Sequence, residues 1–185
     1  MKTAEKEWTY EEYLKLDDDK RYEIIGGRLV VAPAPRPRHQ RVSRNLEFAL
    51  WNYVRSKDLG EVFDAPIDVV LGEKFVFQPD IVFVSREREE IIDEDRAIFG
   101  PPDLVVEVVS PSTLGRDTLE KKEAYEKFGV KEFWLVYPEM KCVEVLVLNE
   151  EGKYEIYDEG CIEEGKGEVR SEVIEGFKVR LEEIF

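Results

Sequence analysis

The sequence is poor in the residues that bind zinc or form disulfide frameworks, since its 185 residues include only two cysteines and one histidine. Cys142 and Cys161 have no CxxC spacing and no histidine partner, so we predict two reduced thiols near strands rather than a zinc site or a disulfide. The sequence also has no apolar run of the roughly 18–20 residues that a membrane span requires. These absences argue against a zinc module and against a membrane-spanning helix.

Side-chain amides are scarce as well, and only five occur among many lysines, arginines and glutamates. This bias is typical of proteins from thermophiles. Residues 1–20 contain neither the apolar core of a signal peptide nor the arginine-rich, acid-poor pattern of a transit peptide. We therefore expect a cytoplasmic protein, and the composition favours a thermophilic source.

Positive charge is in short supply, because 27 lysines and arginines face 42 acidic residues, which gives a net charge of −15. Such a balance argues against non-specific binding of nucleic acid over the whole surface. The acid is concentrated at 87–95 and beyond Asn149, which we interpret as solvated edges. Four arginines nevertheless fall within nine residues, 36-RPRHQRVSR-44. These arginines indicate either a local groove that binds a phosphate backbone or a helix N-terminus whose arginines form ion pairs with the surplus acidic residues.

The length favours one domain, 1–185, with a core at about 9–148 and C-terminal strands in an extension at 149–185. Hydrophobic periodicity predicts a short helix at 9–16 with a Thr9–Glu12 capping box, and two longer helices. The longer helices are predicted at 39–57 and 115–128. Strands are predicted on both sides of the Gly-Gly turn in 22–32, around Val62, and at 66–71, 74–77, 80–85, 103–110, 132–138 and 142–149, followed by weaker strands.

This order of elements predicts an α/β (α+β) protein. The long helix before the sheet and the helix after strand 103–110 are expected to cover opposite faces. The expected architecture is a three-layer sandwich, with a mixed central β-sheet flanked by helices.

The strand in 102-PDLVVEVVSPST-113 contains an acid where the pattern predicts burial on both faces. A lone carboxylate there costs roughly several kcal/mol unless it is compensated. One interpretation pairs Glu107 with a neighbouring Arg or Lys, while Asp80 and Asp103 merely cap strand starts. The other interpretation places strand 80–85 beside strand 103–110, so that Asp80 and Glu107 converge on Mg²⁺ or Mn²⁺.

Further polar residues stand in comparable positions. Glu23 lies in the apolar strand 22-YEII-25, and His39 lies in the first turn of the long helix. Asp117, Lys121 and Tyr125 share one face of helix 115–128. A solvated ion pair and a structural histidine are the simpler interpretations of these residues.

Together these pieces resemble the Uma family of putative restriction endonucleases, a branch of the PD-(D/E)XK nuclease-like superfamily. The resemblance follows the order and spacing of the motifs from residue 9 to about 148. The matching pieces are 22-YEIIGG-27, His39, 78-QPDIVFV-84, 103-DLVVEVVSPST-113, Arg116-Asp117 with Lys121 and Tyr125, and 129-GVKEFWLVYP-138.

The resemblance implies a restriction-endonuclease-like fold and roles for individual residues. Asp80, Glu107 and Glu23 are similar to catalytic acids that bind Mg²⁺ or Mn²⁺, and Lys121 to the catalytic lysine. Val109 departs from the pattern, because the superfamily usually has lysine two residues after the acid. Lys121 on the following helix matches the displaced lysine, and Lys122 is the competing assignment.

The implied activity is metal-dependent hydrolysis of phosphodiester bonds in DNA. Lys121 would assist the attacking water, and Arg36, Arg38 and Arg41 would contact phosphates. His39, Asp117 and Tyr125 would be auxiliary, and a homodimer is the expected state. The alternative is an inactive nuclease-fold protein that binds nucleic acid or a protein partner, which the net charge and the absent lysine at position 109 favour.

Overall fold

The computed structural model describes residues 6–185, so the first five residues of the predicted domain lie outside the described residues. The helices of the described part are α1 (Tyr10–Tyr13), α2 (Pro37–Lys57), α3 (Lys122–Phe128) and α4 (Leu181–Ile184). The strands are β1 (Tyr22–Ile25), β2 (Arg28–Val31), β3 (Gly60–Asp64), β4 (Val69–Gly72), β5 (Phe75–Phe77), β6 (Ile81–Ser85), β7 (Ile92–Asp93), β8 (Ala97–Phe99), β9 (Leu104–Val108), β10 (Glu132–Tyr137), β11 (Cys142–Leu148), β12 (Tyr154–Cys161), β13 (Glu168–Arg170) and β14 (Lys178–Arg180).

The central sheet has six strands in the order β12-β11-β10-β9-β6-β3. It is mixed, because β9 and β10 run parallel whereas the other neighbours run antiparallel. The predicted adjacency of strands 80–85 and 103–110 is confirmed by the pairing of β6 with β9, in which Ile81 lies opposite Val106. This register brings the start of β6 close to the end of β9.

Helices and a second sheet cover the two faces of the central sheet. The buried face of α2, with Leu46 and Leu50, packs against one face around Trp134. Tyr125 of α3 packs on the other face with Phe133 and Phe77. The predicted α/β sandwich with a mixed sheet is confirmed.

A second six-stranded sheet, in the order β2-β1-β5-β4-β8-β7, is an addition to the predicted architecture. It begins with the predicted hairpin, in which Glu23 lies opposite Val30. A 3-10 helix, Arg86–Ile91, and β7 occupy the acidic segment 87–95 interpreted as a solvated edge, and β8 follows directly after it. That segment has no apolar alternation, so the pattern gave no sign of them.

The helix predictions hold with shifted boundaries. Thr9 and Glu12 form the predicted capping box. The long helix begins two residues early, at Pro37, because proline suits the first helical position. The helix predicted at 115–128 begins as a π-helical turn, Arg116–Lys121, continues as α3 and ends at Gly129 with a positive φ of 84°.

The prediction of two reduced cysteines was wrong. Cys142 and Cys161 lie directly opposite each other on β11 and β12 and form a disulfide. Their Cα atoms are 4.2 Å apart. The strand register, which the sequence spacing does not reveal, brings them together.

No helix within residues 6–185 combines the length and the apolar character that crossing a membrane requires.

Candidate active site

A groove of about 590 Å³ opens between the start of α2, the end of β9 and the π-helical turn. Nearly all the residues singled out in the sequence line it, and Tyr125 reaches it through Glu107. The predicted residues on its wall are Glu23, Arg36, Arg38, His39, Arg41, Asp80, Glu107, Asp117 and Lys121.

Lys121 lies at the centre of a buried group of carboxylates. Its Nζ is 2.9 Å from both carboxylate oxygens of Glu107 and 2.8 Å from Oε1 of Glu23. Asp117 Oδ1 is 3.6 Å away. Burial alone would lower the pKa of Lys121, but the charges of Glu107, Glu23 and Asp117 outweigh it and raise that pKa. Lys121 is therefore charged in the folded protein.

Glu107 enters the group from the middle of β9, where its neighbours on both sides are buried. Tyr125 Oη donates a hydrogen bond of 2.7 Å to its Oε1. Burial raises the pKa of Glu107 well above 4.5, against the opposing charge of Lys121, and Asp117 and Asp80 raise it further. Lys121 is thus the neighbouring cation that one interpretation of Glu107 predicted, and the metal of the other interpretation stays a prediction.

Glu23 reaches the same group from the second sheet. Its Oε1 accepts a hydrogen bond of 3.0 Å from the backbone N–H of Gln78, and its Oε2 lies 3.2 Å from Arg116 Nη1. Burial would raise the pKa of Glu23, but Lys121 and Arg116 outweigh burial and lower it. Arg116 was not among the predicted site residues, although its position directly before Asp117 was the available signal.

Asp80 lies just before β6, at the outer edge of the group. Its Oδ2 accepts a hydrogen bond of 2.7 Å from the backbone N–H of Val108 and lies 3.2 Å from His39 Nε2. Burial would lower the pKa of His39, and the interaction with Asp80 outweighs it and raises that pKa. Nδ1 of His39 is buried without a hydrogen-bond partner among the described residues. His39 and β9 thus fix the orientation of the Asp80 carboxylate.

The π-helical turn explains why Lys121, rather than Lys122, belongs to the groove. Asp117 and Lys121 are both buried there, whereas Lys122 is partly exposed and does not line the groove. The backbone N–H of Asp117 donates to Thr113 O at 2.9 Å, which ties the turn to the loop after β9. Short π-helical turns occur frequently at functional sites.

The donor set fits a divalent cation in charge and in chemistry. Glu23, Glu107 and Asp117 surround Lys121 and Arg116, and Asp80 lies beside His39, so the carboxylates outnumber the lysine and arginine side chains. Carboxylate oxygens are the ligands that Mg²⁺ and Mn²⁺ prefer. Among residues 6–185, however, no three His, Cys, Asp or Glu side chains form a ready metal-binding group. The Lys121 ammonium lies between Glu23 and Glu107, and a metal held by both would have to displace it.

Arginines rim the groove where α2 begins. Arg36, Arg38 and Arg41 are exposed. Arg36 and Arg41 form no ion pair within the described chain, and Arg38 has a single distant partner, Glu139, at 3.9 Å. The structure therefore favours the interpretation in which these arginines form a cationic rim of the groove over the one in which acidic residues neutralise them.

Comparisons with known proteins place these features in context. A family model described as Uma2, putative restriction endonuclease, matches residues 10–182. The fold is similar to the crystal structure of a putative nuclease belonging to DUF820 from Anabaena variabilis, with 20% identity and a TM-score of 0.76. That likeness covers 96% of this chain and 97% of the other. No curated protein matches the sequence.

Proposed function

The chain belongs to the Uma2 family of putative restriction endonucleases, and on that premise we propose that it is a metal-dependent endonuclease that hydrolyses phosphodiester bonds in DNA. One observation carries the proposal: the buried group of Glu23, Glu107, Asp117 and Lys121 lies at the bottom of a groove rimmed by arginines. Ion pairs that serve stability alone do not need such a groove.

Asp80, Glu107 and Glu23 would hold Mg²⁺ or Mn²⁺, since they supply the carboxylate oxygens that these cations prefer. The bound cation would polarise a phosphoryl oxygen and lower the pKa of the attacking water. Lys121 would donate hydrogen bonds to that water or offset the negative charge that develops on the phosphate.

The remaining residues act by holding these groups in place. Tyr125 fixes one oxygen of Glu107, and the Val108 N–H and His39 fix one oxygen of Asp80. Arg36, Arg38 and Arg41 are available to contact the phosphates that flank the scissile one.

Plasmid cleavage in Mg²⁺ or Mn²⁺ tests the proposal. We expect Asp80→Asn, Glu107→Gln and Lys121→Ala each to reduce the cleavage rate by about a hundredfold or more, because removal of a single group that stabilises transition-state charge costs about 10²–10³. Equal cleavage by the wild type and these variants would indicate a contaminating nuclease and would refute the assignment.

Two matched variants separate loss of the site from loss of the fold. Lys122→Ala removes the neighbouring, partly exposed lysine and should leave cleavage unchanged. Asp103→Asn removes a buried carboxylate just before β9 that does not line the groove. We expect it to lower stability but to retain cleavage at temperatures where the variant is folded.

The second candidate function is a nuclease fold that binds nucleic acid without cleaving it. The position of the Lys121 ammonium between Glu23 and Glu107 favours it, because the lysine takes the place that a cation shared by both would need. DNA binding by the wild type with no cleavage in either metal, and no effect of Asp80→Asn, would support this function instead.

A homodimeric state, a cytoplasmic location and a thermophilic source also belong to the proposal. The disulfide is compatible with a cytoplasmic location only in a hyperthermophilic source, since disulfides are otherwise rare in the cytoplasm. Light scattering of the purified protein determines its oligomeric state.

A further inference from the structure

The acidic centre of the groove is buried. Glu23, Glu107 and Lys121 are only 2%, 3% and 4% exposed. Asp80, the outermost of the proposed ligands, has 17% of its side chain exposed. A phosphate that contacts this centre must enter the groove, and a smooth backbone that lies across the mouth does not reach it.

The size of the groove limits what can enter. Its volume of about 590 Å³ is within the range of pockets that hold one drug-sized molecule. This suits one or two nucleotides of a single strand. The phosphates of a duplex lie on the outer surface of a stiff double helix, which resists the local bend needed to bring one phosphate down to a buried site. An unpaired strand bends freely and can insert one phosphate at little cost.

The charge of the groove wall is balanced rather than strongly positive. Arg21, Arg36, Arg38, Arg41, Arg44, Arg116 and Lys121 face Glu23, Glu47, Asp64, Asp80, Glu107, Asp117 and Glu139. Within the described chain, Arg36 and Arg41 are the only ones of the six arginines without a hydrogen-bond or ion-pair partner, because Arg44 donates hydrogen bonds to Asn45 Oδ1. Strong binding to a duplex can rest on about 6–10 phosphate contacts. So few free arginines suit a short segment of one strand.

The groove wall offers little surface on which a base could stack. Apart from His39, no aromatic side chain of the described residues lines the groove, and five prolines lie there instead: Pro33, Pro35, Pro37, Pro111 and Pro138. The side chains of the wall that donate hydrogen bonds are mainly arginines, serines and a threonine, which are the types that contact phosphate and sugar without regard to sequence.

We propose that the substrate is unpaired DNA, such as a flap, a frayed end or a loop, which enters the groove as a single strand and is cut without a set sequence. The inference rests on the proposed function, which it narrows to one substrate class. A continuous duplex would be a poor substrate unless it opens locally.

The first test compares cleavage of three labelled oligonucleotide substrates in Mn²⁺: a single strand, the same strand in a perfect duplex, and a duplex with an unpaired flap. We expect the single strand to be cut at least ten times faster than the duplex, and cuts in the flap substrate to fall within the unpaired arm. A duplex cut as fast as the single strand would overturn the inference.

The second test measures binding by fluorescence anisotropy in EDTA, so that it does not depend on cleavage. The single strand should bind at least several-fold more tightly than the duplex. Its affinity should fall with salt with a logarithmic slope of about −2 to −3, the value for three or four contacts to single-stranded phosphates. Equal binding of the two substrates, or a slope steeper than about −5, would refute the inference.

A pair of α2 variants completes the design. Arg41→Ala should weaken single-strand binding and reduce the salt slope by about 0.7, whereas Arg55→Ala, at the far end of the helix, should change neither. An unchanged affinity in Arg41→Ala would also count against the inference. If no substrate is cut but the single strand is still preferred, the proposed activity fails while the substrate class stands.

Discussion

At the scale of single residues, two acids near each other on the chain have opposite electrostatic surroundings. Asp103, just before β9, accepts hydrogen bonds from Ser85 N at 2.8 Å and Lys131 Nζ at 2.7 Å and lies 3.2 Å from Arg88 Nη1. Glu107, farther along the strand, shares its one cation with two other carboxylates. Asp103 therefore contributes to stability, whereas Glu107 has the surroundings expected of a functional group.

Asp103 gives a pH prediction with a definite sign. Burial would raise its pKa, but the hydrogen bonds from Lys131 and Ser85 and the charge of Arg88 outweigh burial and hold the pKa below its ordinary 3.8. A carboxylate with a lowered pKa stabilises the fold at pH values above its unfolded pKa and loses that effect as the pH falls through its folded pKa. Asp103→Asn should thus lower the free energy of unfolding by about 1–3 kcal/mol at pH 7, with a difference that shrinks below about pH 4.

Urea unfolding of the wild type and Asp103→Asn between pH 3 and pH 7 provides the measurement. Asp19→Asn is a suitable control, because Asp19 is exposed and forms no side-chain hydrogen bond or ion pair among the described residues. A destabilisation by Asp103→Asn that stays constant down to pH 3 would contradict the assignment of a charged Asp103 in the folded protein.

The residues that the sequence located are those whose polarity conflicts with their surroundings. Glu23 and Glu107 interrupt apolar strands, and that conflict is visible without coordinates. The contacts among them were not visible, because Lys121 and Arg116 meet Glu23 across about a hundred residues of chain. Asp103 was weighed only as a strand cap, since its partner Lys131 comes from a separate segment.

At the scale of elements, individual strands of the central sheet were predicted more completely than the bonds between them. β9 was predicted from its run of branched residues and its bounding turns. The disulfide between β11 and β12 was missed. A disulfide between neighbouring strands depends on the strand register, which the spacing of the two cysteines in the sequence does not reveal. The π-helical turn was missed for a related reason, since its residues fit a helical period until the backbone geometry is known.

The disulfide leads to a prediction for the C-terminal strands. It closes a loop with a sequence separation of 19 residues, which in the chain-entropy account stabilises the fold by about 3 kcal/mol. Replacing both cysteines by serine should therefore lower the melting temperature by about 6–12 °C. Calorimetry of the double variant measures the shift, and the wild type in reducing buffer should approach the same value.

Neither cysteine lines the groove. The double variant should therefore retain single-strand binding at temperatures where it is folded. An unchanged melting temperature would mean that the bond does not stabilise the fold, and a loss of binding by the folded variant would mean that the C-terminal strands contribute to the groove.

At the scale of the whole molecule, the candidate site lies where the two large sheets meet. Glu23 belongs to the second sheet, Glu107 to the central sheet, and Lys121 follows the loop that leaves the central sheet. A net charge of −15 coexists with this site, because exposed arginines without an ion pair to hold them, Arg36 and Arg41, lie at the start of α2 beside the groove. The cluster of carboxylates at the junction is a property of the assembled fold rather than of any one element.

Because the proposed metal ligands come from both sheets, we expect a bound divalent cation to stabilise the whole fold. A ligand at a hundred times its Kd stabilises the native state by about 2.7 kcal/mol, which for a chain of this size corresponds to a rise of about 5–10 °C in melting temperature. We expect that rise in Mn²⁺ for the wild type and for Asp103→Asn. Asp80→Asn and Glu107→Gln should lose it, because each removes a proposed ligand. An equal rise in melting temperature in all four proteins would place the ion elsewhere on the acidic surface. No rise in the wild type would favour the non-cleaving function, in which Lys121 holds the two sheets together without a metal.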